Sequence, residues 1–317
     1  MSTFLAFLYA AVLSGVPLLC GTLGEIITEK AGHLNLGVEG MMYMGAAFAF
    51  MGGYISGSPV VALLFAIGAG VLGALIYAFL TITLKANQNV SGLALTTFGT
   101  GVANFLGTSL QKSSVSVVVV PASVVNVFKP LDMGFLSDLP VIGQLIFSHS
   151  LFTYLAVALA IGMHLYLNKT HCGLNLRAIG ENTATADAAG INVTKYKYLA
   201  TCIGAGISGL GGTYYVMNYI KGTWENQGTI EALGWLAVAL VIFATWKSLR
   251  AIWGSYLFGV LYWAYNYIPG LSRSTLELFK MLPYVVTIIV LLMVSMRKKK
   301  EDQPPQSLGI PYFREER

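Results

Sequence analysis

The sequence predicts an all-α, polytopic membrane bundle of about nine spans, and three observations predict it. Apolar residues make up 56% of the 317 residues and charged residues only 10%, with a mean hydropathy of +0.68. A soluble domain carries about 25% charged residues, so this composition cannot build a water-facing surface. The apolar residues also fall in long continuous runs, not in the alternating segments of about ten residues that a membrane barrel needs. An open sheet would leave its edge groups unsatisfied in lipid, so helices remain as the way across.

Nine apolar segments follow one another: Phe4–Leu23, Leu34–Ile55, Val60–Leu84, Val90–Leu110, Leu151–Leu167, Tyr198–Ile220, Leu233–Thr245, Ile252–Ile268 and Leu276–Met296. Turn residues or charges separate them, as in SGSP (Ser56–Pro59) and KANQN (Lys85–Asn89). The first segment lacks the basic start and small-x-small cleavage site of a signal peptide and reads as a permanent span. Leu233–Thr245 is short for a crossing; it either recruits flanking residues or forms a half-helix lining a cavity.

Lysine and arginine bias orients the chain. With nine crossings and the RKKK run (Arg297–Lys300) inside, fourteen of the nineteen basic residues fall on the inner side. The outer side keeps Lys112, Lys129, Lys221, Arg273 and Lys280. The expected topology is N-terminus outside and C-terminus in the cytoplasm of a bacterial cell. Residues 1–296 form the membrane domain, with an external loop at 111–150 and a cytoplasmic loop at 168–197; residues 297–317 form a basic, polar cytoplasmic tail. The net charge of +5 is then a topology signal and not a nucleic-acid footprint. The RKKK run either anchors the last span or touches anionic membrane lipid.

The chain carries no engine of its own. It has no G-x-x-x-x-G-K-[ST] phosphate loop, and the spans hold few ionisable side chains of the kind that couple transport to an ion. The GAGISG match at Gly204–Gly209 lies inside an apolar helical run, where Ala205, Gly209 and Gly212 suit close helix packing better than a dinucleotide. No nucleophile motif or zinc-protease motif occurs. The three cysteines show no paired spacing, which argues against a disulfide framework or a metal site. A catalytic role is therefore not expected.

Three stretches carry a family likeness: GTLGEIITEKAGHLNLGVEGMMYMGA (Gly21–Ala46), ANQNVSGLALTTFGTGVANFL (Ala86–Leu106) and GLNLRAIGENTATADAAGINVTKYK (Gly173–Lys197). In order and spacing the chain up to about Met296 resembles the permease subunits of nucleoside ABC importers that work with basic-membrane-protein-type lipoproteins. They are a branch of the group that includes ribose and branched-chain amino-acid permeases. The resemblance implies an importer-permease fold with broken helices and a heterodimer with a second related permease. It implies also an extracytoplasmic substrate-binding lipoprotein, and a separate cytoplasmic ABC ATPase that binds ATP-Mg, leaving this subunit without a cofactor. Within the group, ribose-like sugars or branched-chain amino acids are alternative substrates. An ion-coupled secondary transporter or channel is the alternative of another class.

In the first stretch, Gly32, Gly37 and Gly40 interrupt an apolar run. Asn35 and Glu39, four apart, would share a face if helical; the competing reading makes Asn35 the cap of the second helix. In the second stretch, Asn87, Gln88 and Asn89 precede the fourth span, and Thr97, Thr100 and Asn104 form one helical stripe, suited either to a substrate path or to a neighbouring helix. Tyr215 and Asn218, near the outer end of the sixth span, either belong to an interfacial aromatic belt or face a nucleobase. The resemblance makes Gly173–Lys197 the segment that docks on the ATPase. Leu174, Leu176 and Ile179 would be its apolar anchors and Arg177, Glu181 and Asp187 would fix its orientation, with Gly180, Asn182 and Gly190 as further coupling candidates. ADAAG (Ala186–Gly190) departs from the E-A-A-x-x-x-G loop common in importer permeases.

Overall fold

The computed structural model describes residues 3–112, 118–131, 134, 137, 139, 143–224, 229–268, 270, 272–297 and 302–315. Parts of the expected external loop (residues 113–117, 132, 133, 135, 136, 138 and 140–142) and of the tail (298–301, 316 and 317) lie outside that set. A long helix stands on each of the nine apolar segments. These are α1 (Thr3–Lys30), α2 (Val38–Ser56), α3 (Pro59–Ala78, continued by a π-turn to Thr83) and α4 (Gln88–Lys112). They continue with α6 (Leu151–Lys169), α9 (Val193–Tyr214, with a π-turn to Tyr219), α10 (Thr229–Phe243), α11 (Ser248–Trp263) and α12 (Arg273–Arg297). Short helices fill the two long connections: α5 (Ala122–Val125) before α6, and α7 (His171–Glu181) and α8 (Thr183–Ala188) between α6 and α9.

Among the described residues, Leu5–Lys30, Pro59–Thr83 and Leu151–Lys169 are each long and apolar enough to cross a bilayer by themselves. Helices α2, α4 and α9 are diluted by glycine, serine and threonine, and α10 and α11 are short. Helix α10 does take in flanking residues from Thr229, yet at 1.5 Å per residue it measures only about 22 Å, less than the ~30 Å hydrocarbon. Exposed side chains such as Leu64, Leu72 and Phe79 on α3 and Leu278, Ile288 and Met296 on α12 form apolar surfaces suited to lipid.

The centre is built from α1, α2 and α9: α1 packs on α9 and α11, and α9 packs also on α2 and α3. Small residues make these crossings close. Gly24 of α1 meets Gly204 of α9, and Gly45 of α2 meets Gly209, where a Cβ would stand 2.5 Å from the Gly209 carbonyl oxygen. The GAGISG stretch is thus a helix-packing surface, as its apolar setting predicted.

One end of the bundle gathers Lys30, Lys85, Lys195, Lys247, Arg250, α7 and α8. The tail is more than a solvated extension there. Residues 302–315 fold back as a strap across this end, its Ser307 N–H donating to the Gly180 carbonyl (2.8 Å).

Candidate functional site

The loop Ala31–Gly37 between α1 and α2 is largely buried and non-helical, so its backbone groups need partners. Four side chains from three helices supply them. Glu25 of α1 accepts from the Asn35 N–H (2.8 Å) and Gln88 of α4 from the Leu34 N–H (2.8 Å). Tyr77 of α3 donates to the Leu34 carbonyl (2.6 Å), and Thr96 of α4 to the Leu36 carbonyl (2.9 Å). Beside Glu25, Glu29 accepts from the Trp246 indole N–H. This is a broken-helix junction of the kind membranes tolerate when it is enclosed by protein.

Two expectations for this junction are corrected. Helix α2 begins at Val38 with Gly37 as its N-cap, so Asn35 does not cap it, and Asn35 and Glu39 do not share a helical face. Asn35 instead accepts from the Gly37 N–H (2.9 Å), a local turn that competes with helix and holds the break open. Asn35 and Gln88, both buried, join the junction, while Glu39 is covered by Gly234 of α10. His33 is also enclosed, and burial pushes its imidazole down to about 3, so it is neutral at physiological pH.

On α4 the structure separates the polar residues. Asn87 and Asn89 are exposed at its start, Asn87 accepting from the Val90 N–H (3.1 Å). Helix α4 buries Leu95, Gly99, Ala103 and Gly107. Thr97 faces away from that seam and hydrogen-bonds back to Leu93, Thr100 is half-buried, and Asn104 has an enclosed Oδ1 with no hydrogen-bond partner.

At the opposite end of the bundle the π-turn after α9 brings aromatics together. Tyr215 stacks on Tyr219 with ring centroids 5.0 Å apart, and Tyr219 leans on Trp263 at 5.5 Å. Leu13, Ser14 and Pro17 of α1, with Tyr214 and Tyr262, complete a nearly closed cleft. The Trp263 indole N–H is enclosed there without a hydrogen-bond partner, and burial is costly for such a donor, about 1–3 kcal/mol. The sequence does not single out Tyr219, Tyr262 and Trp263 as neighbours of Tyr215, because their contact depends on how the ends of α9 and α11 meet. Asn218 does not line the cleft; its amide donates to the Phe128 carbonyl (2.6 Å) and ties down the α5 region. Trp224 is buried against Tyr43 and Phe50.

At the basic end, α7 is amphipathic in its placement. Leu176, Ile179 and Gly180 are buried, Gly180 lying on the Lys30 backbone, and Leu174 is exposed. Arg177 is half-buried and Glu181 exposed. Asn182 caps α8 by accepting from the Thr185 N–H (2.9 Å), and Gly190 ends the α8 region with φ of +83°, a value costly for any side chain. Asp187 is engaged by the strap: Tyr312 donates to its carboxylate at 2.7 Å and Arg314 pairs with it at 3.1 Å. Further along the strap, Asp302 accepts from Lys247 (2.8 Å) and Arg250 (2.9 Å). These bonds hold the Asp302 carboxyl below its ordinary range, the Lys247 hydrogen bond most strongly. This clamp is therefore complete at neutral pH and is lost only as pH falls through that lowered value.

Broken helices, small-residue crossings and two short helices at a basic end are features that polytopic membrane transporters share. Residues 7–291 match the family described as the branched-chain amino acid transport system / permease component. The chain belongs to this permease family. The "Putative glucose ABC transporter permease protein TsgC13" of Haloferax volcanii is 36% identical over 261 residues, 82% of this chain and 77% of that one. The guanosine ABC transporter permease protein NupQ of Bacillus subtilis is 31% identical over 97% of this chain and 96% of its own length. The nucleoside ABC transporter permease protein NupC of Lactococcus lactis is 32% identical over 88% and 89%. No solved structure matches the chain. The permease is a non-catalytic, multi-pass membrane subunit of an ABC importer, a class that works with an ATPase and a binding protein.

Proposed function

We propose that this permease imports nucleosides. The observation that carries the reading is the cleft of Tyr215, Tyr219, Tyr262 and Trp263, which offers π faces for a base and an unpartnered indole donor for a base or ribose acceptor. It holds only about 10 Å³ in this conformation, so a base enters it only when the helices part, as in an alternating-access cycle. Two relatives matched over most of their length are named for guanosine or nucleosides, which supports the same substrate class. In this reading a substrate-binding lipoprotein delivers the nucleoside to the end bearing the cleft. The permease pairs with a second, related permease, and the path also draws on α4 through Thr97, Thr100 and Asn104. A cytoplasmic ATPase holding ATP-Mg docks at α7 and α8, which puts the basic end inside and the N-terminus outside, in agreement with the lysine and arginine bias.

A second reading, glucose import, is favoured by the name of the 36%-identical relative. The two are separated by uptake of labelled guanosine, uridine and glucose through the assembled complex. Nucleoside uptake that excess glucose leaves unchanged is expected, and Trp263→Ala raises its KM about tenfold, as the loss of one base–aromatic contact would. Glucose uptake without nucleoside uptake overturns the proposal.

A further inference from the structure

The structure assigns a phosphate-binding site to the basic end of this permease, in a cavity between α1, α6, α7 and α11. The cavity has a volume of about 660 Å³. Cationic side chains enter it from four elements: Lys30 at the end of α1, Arg177 of α7, Lys247 in the turn after α10, and Arg250 of α11. They are near enough that Arg177, Lys247 and Glu181 all act on the Lys30 ammonium. Three carboxylates oppose them. Asp302 is taken by Lys247 and Arg250 at the rim, and Glu181 and Glu29 both act on Lys30. Four cations against three carboxylates leave this end of the bundle net positive around the cavity.

Two enclosed polar atoms lack partners. The Ser248 hydroxyl, on a residue only 2% exposed, has no hydrogen bond, and neither does Nε of Arg177. Both residues line the cavity. Ser248 is also the first residue of the 16-residue α11, whose N-terminus carries no side-chain cap. A hydroxyl and a guanidinium beside an uncapped helix start are the donors a phosphate takes: several N–H and O–H groups, a fork for two oxygens and the positive end of a helix. Leu167 and Leu249 supply apolar wall beside these groups, at the end of the bundle where helices α1 and α6 stop. A phosphate there comes either from the headgroup of an anionic phospholipid or from free phosphate.

The test uses the full-length permease in phosphatidylcholine nanodiscs, with and without phosphatidylglycerol, and in detergent with added inorganic phosphate. Retained lipid is counted by native mass spectrometry and thermal unfolding is followed in parallel. Phosphatidylglycerol retained in preference to phosphatidylcholine is expected. Ser248→Ala and Arg177→Gln each reduce that retention about tenfold, and Lys195→Gln, at the same end but outside the cavity, leaves it unchanged. Stabilisation by inorganic phosphate, lost in the same two variants and without lipid retention, makes free phosphate the ligand of the same site. If Arg177→Gln fails to fold, Ser248→Ala alone decides. Equal retention in the parent and Ser248→Ala, together with no response to phosphate, overturns the site.

Discussion

Gly45→Val is expected to keep the permease from assembling. The Cα of Gly45 faces the Gly209 backbone where α2 crosses α9, and even a Cβ would stand 2.5 Å from that carbonyl oxygen. The obstacle is backbone on a helix that also packs on α1 and α3, so no side chain can swing aside to relieve it. Overpacking a tight seam typically costs about 1–3 kcal/mol and more where backbone must move. Here α9 would have to part from α2 along the crossing. The expected outcome is loss of most of the protein from the membrane fraction, with the remainder aggregated in size-exclusion chromatography. The control is Gly68→Val on α3, where the added carbon meets nothing within 4 Å; it should accumulate like the parent. Equal yields and equal melting of the two variants would refute the packing described for the centre of the fold.

The double variant Ala184→Arg/Ala188→Arg is expected to lose transport while keeping the fold. The two residues lie one helical turn apart on α8 and are exposed, so new arginines reach solvent in the isolated permease and cost little. With the ATPase docked at α7 and α8, as proposed, they would be driven into a contact surface. An unpaired charge or lost partner at such a surface costs about 2–5 kcal/mol, a weakening of roughly thirtyfold or more. The measurement is copurification of the ATPase with a tagged permease, beside substrate uptake and the permease's own melting curve. Copurification and uptake should both collapse while the melting temperature stays within about a degree or two of the parent, the change expected for surface substitutions. Full copurification would remove α8 from the docking surface. Substitution is preferable to removing Leu174–Gly190, because Leu176, Ile179 and Gly180 are buried in the fold and their loss would unfold more than the docking surface.

How much of this was legible in the sequence depended on the range of the interaction. The nine segments were readable because hydrophobic runs and charge bias are local signals, and a helix stands on each. The small-residue character of Gly204–Gly212 was also readable, though not its partners on α1, α2 and α3. Asn35 shows the limit. Its spacing to Glu39 suited a shared helical face, but the Glu25 carboxylate, ten residues away, captures its N–H and the chain stays non-helical there. Gln88 read as a turn residue and is in fact a buried partner of Leu34, 54 positions earlier in the chain. Trp263 carried no motif at all, since its place beside Tyr219 depends on helix ends 44 residues apart in sequence. The strap was hidden for the same reason: Tyr312 finds Asp187 across 125 positions. Leu176 and Ile179 looked like surface anchors because an amphipathic helix shows which residues share a face and not which face is covered.

The most direct test of the account is energisation. The permease is reconstituted in vesicles with an ATPase, a binding protein and the second permease proposed for it, and labelled guanosine uptake is followed with the proton and sodium gradients collapsed. ATP-dependent accumulation is predicted, absent when ATP is replaced by a non-hydrolysable analogue and absent without the ATPase subunit. Guanosine accumulation by the permease alone, driven by an imposed ion gradient and indifferent to ATP, would contradict it.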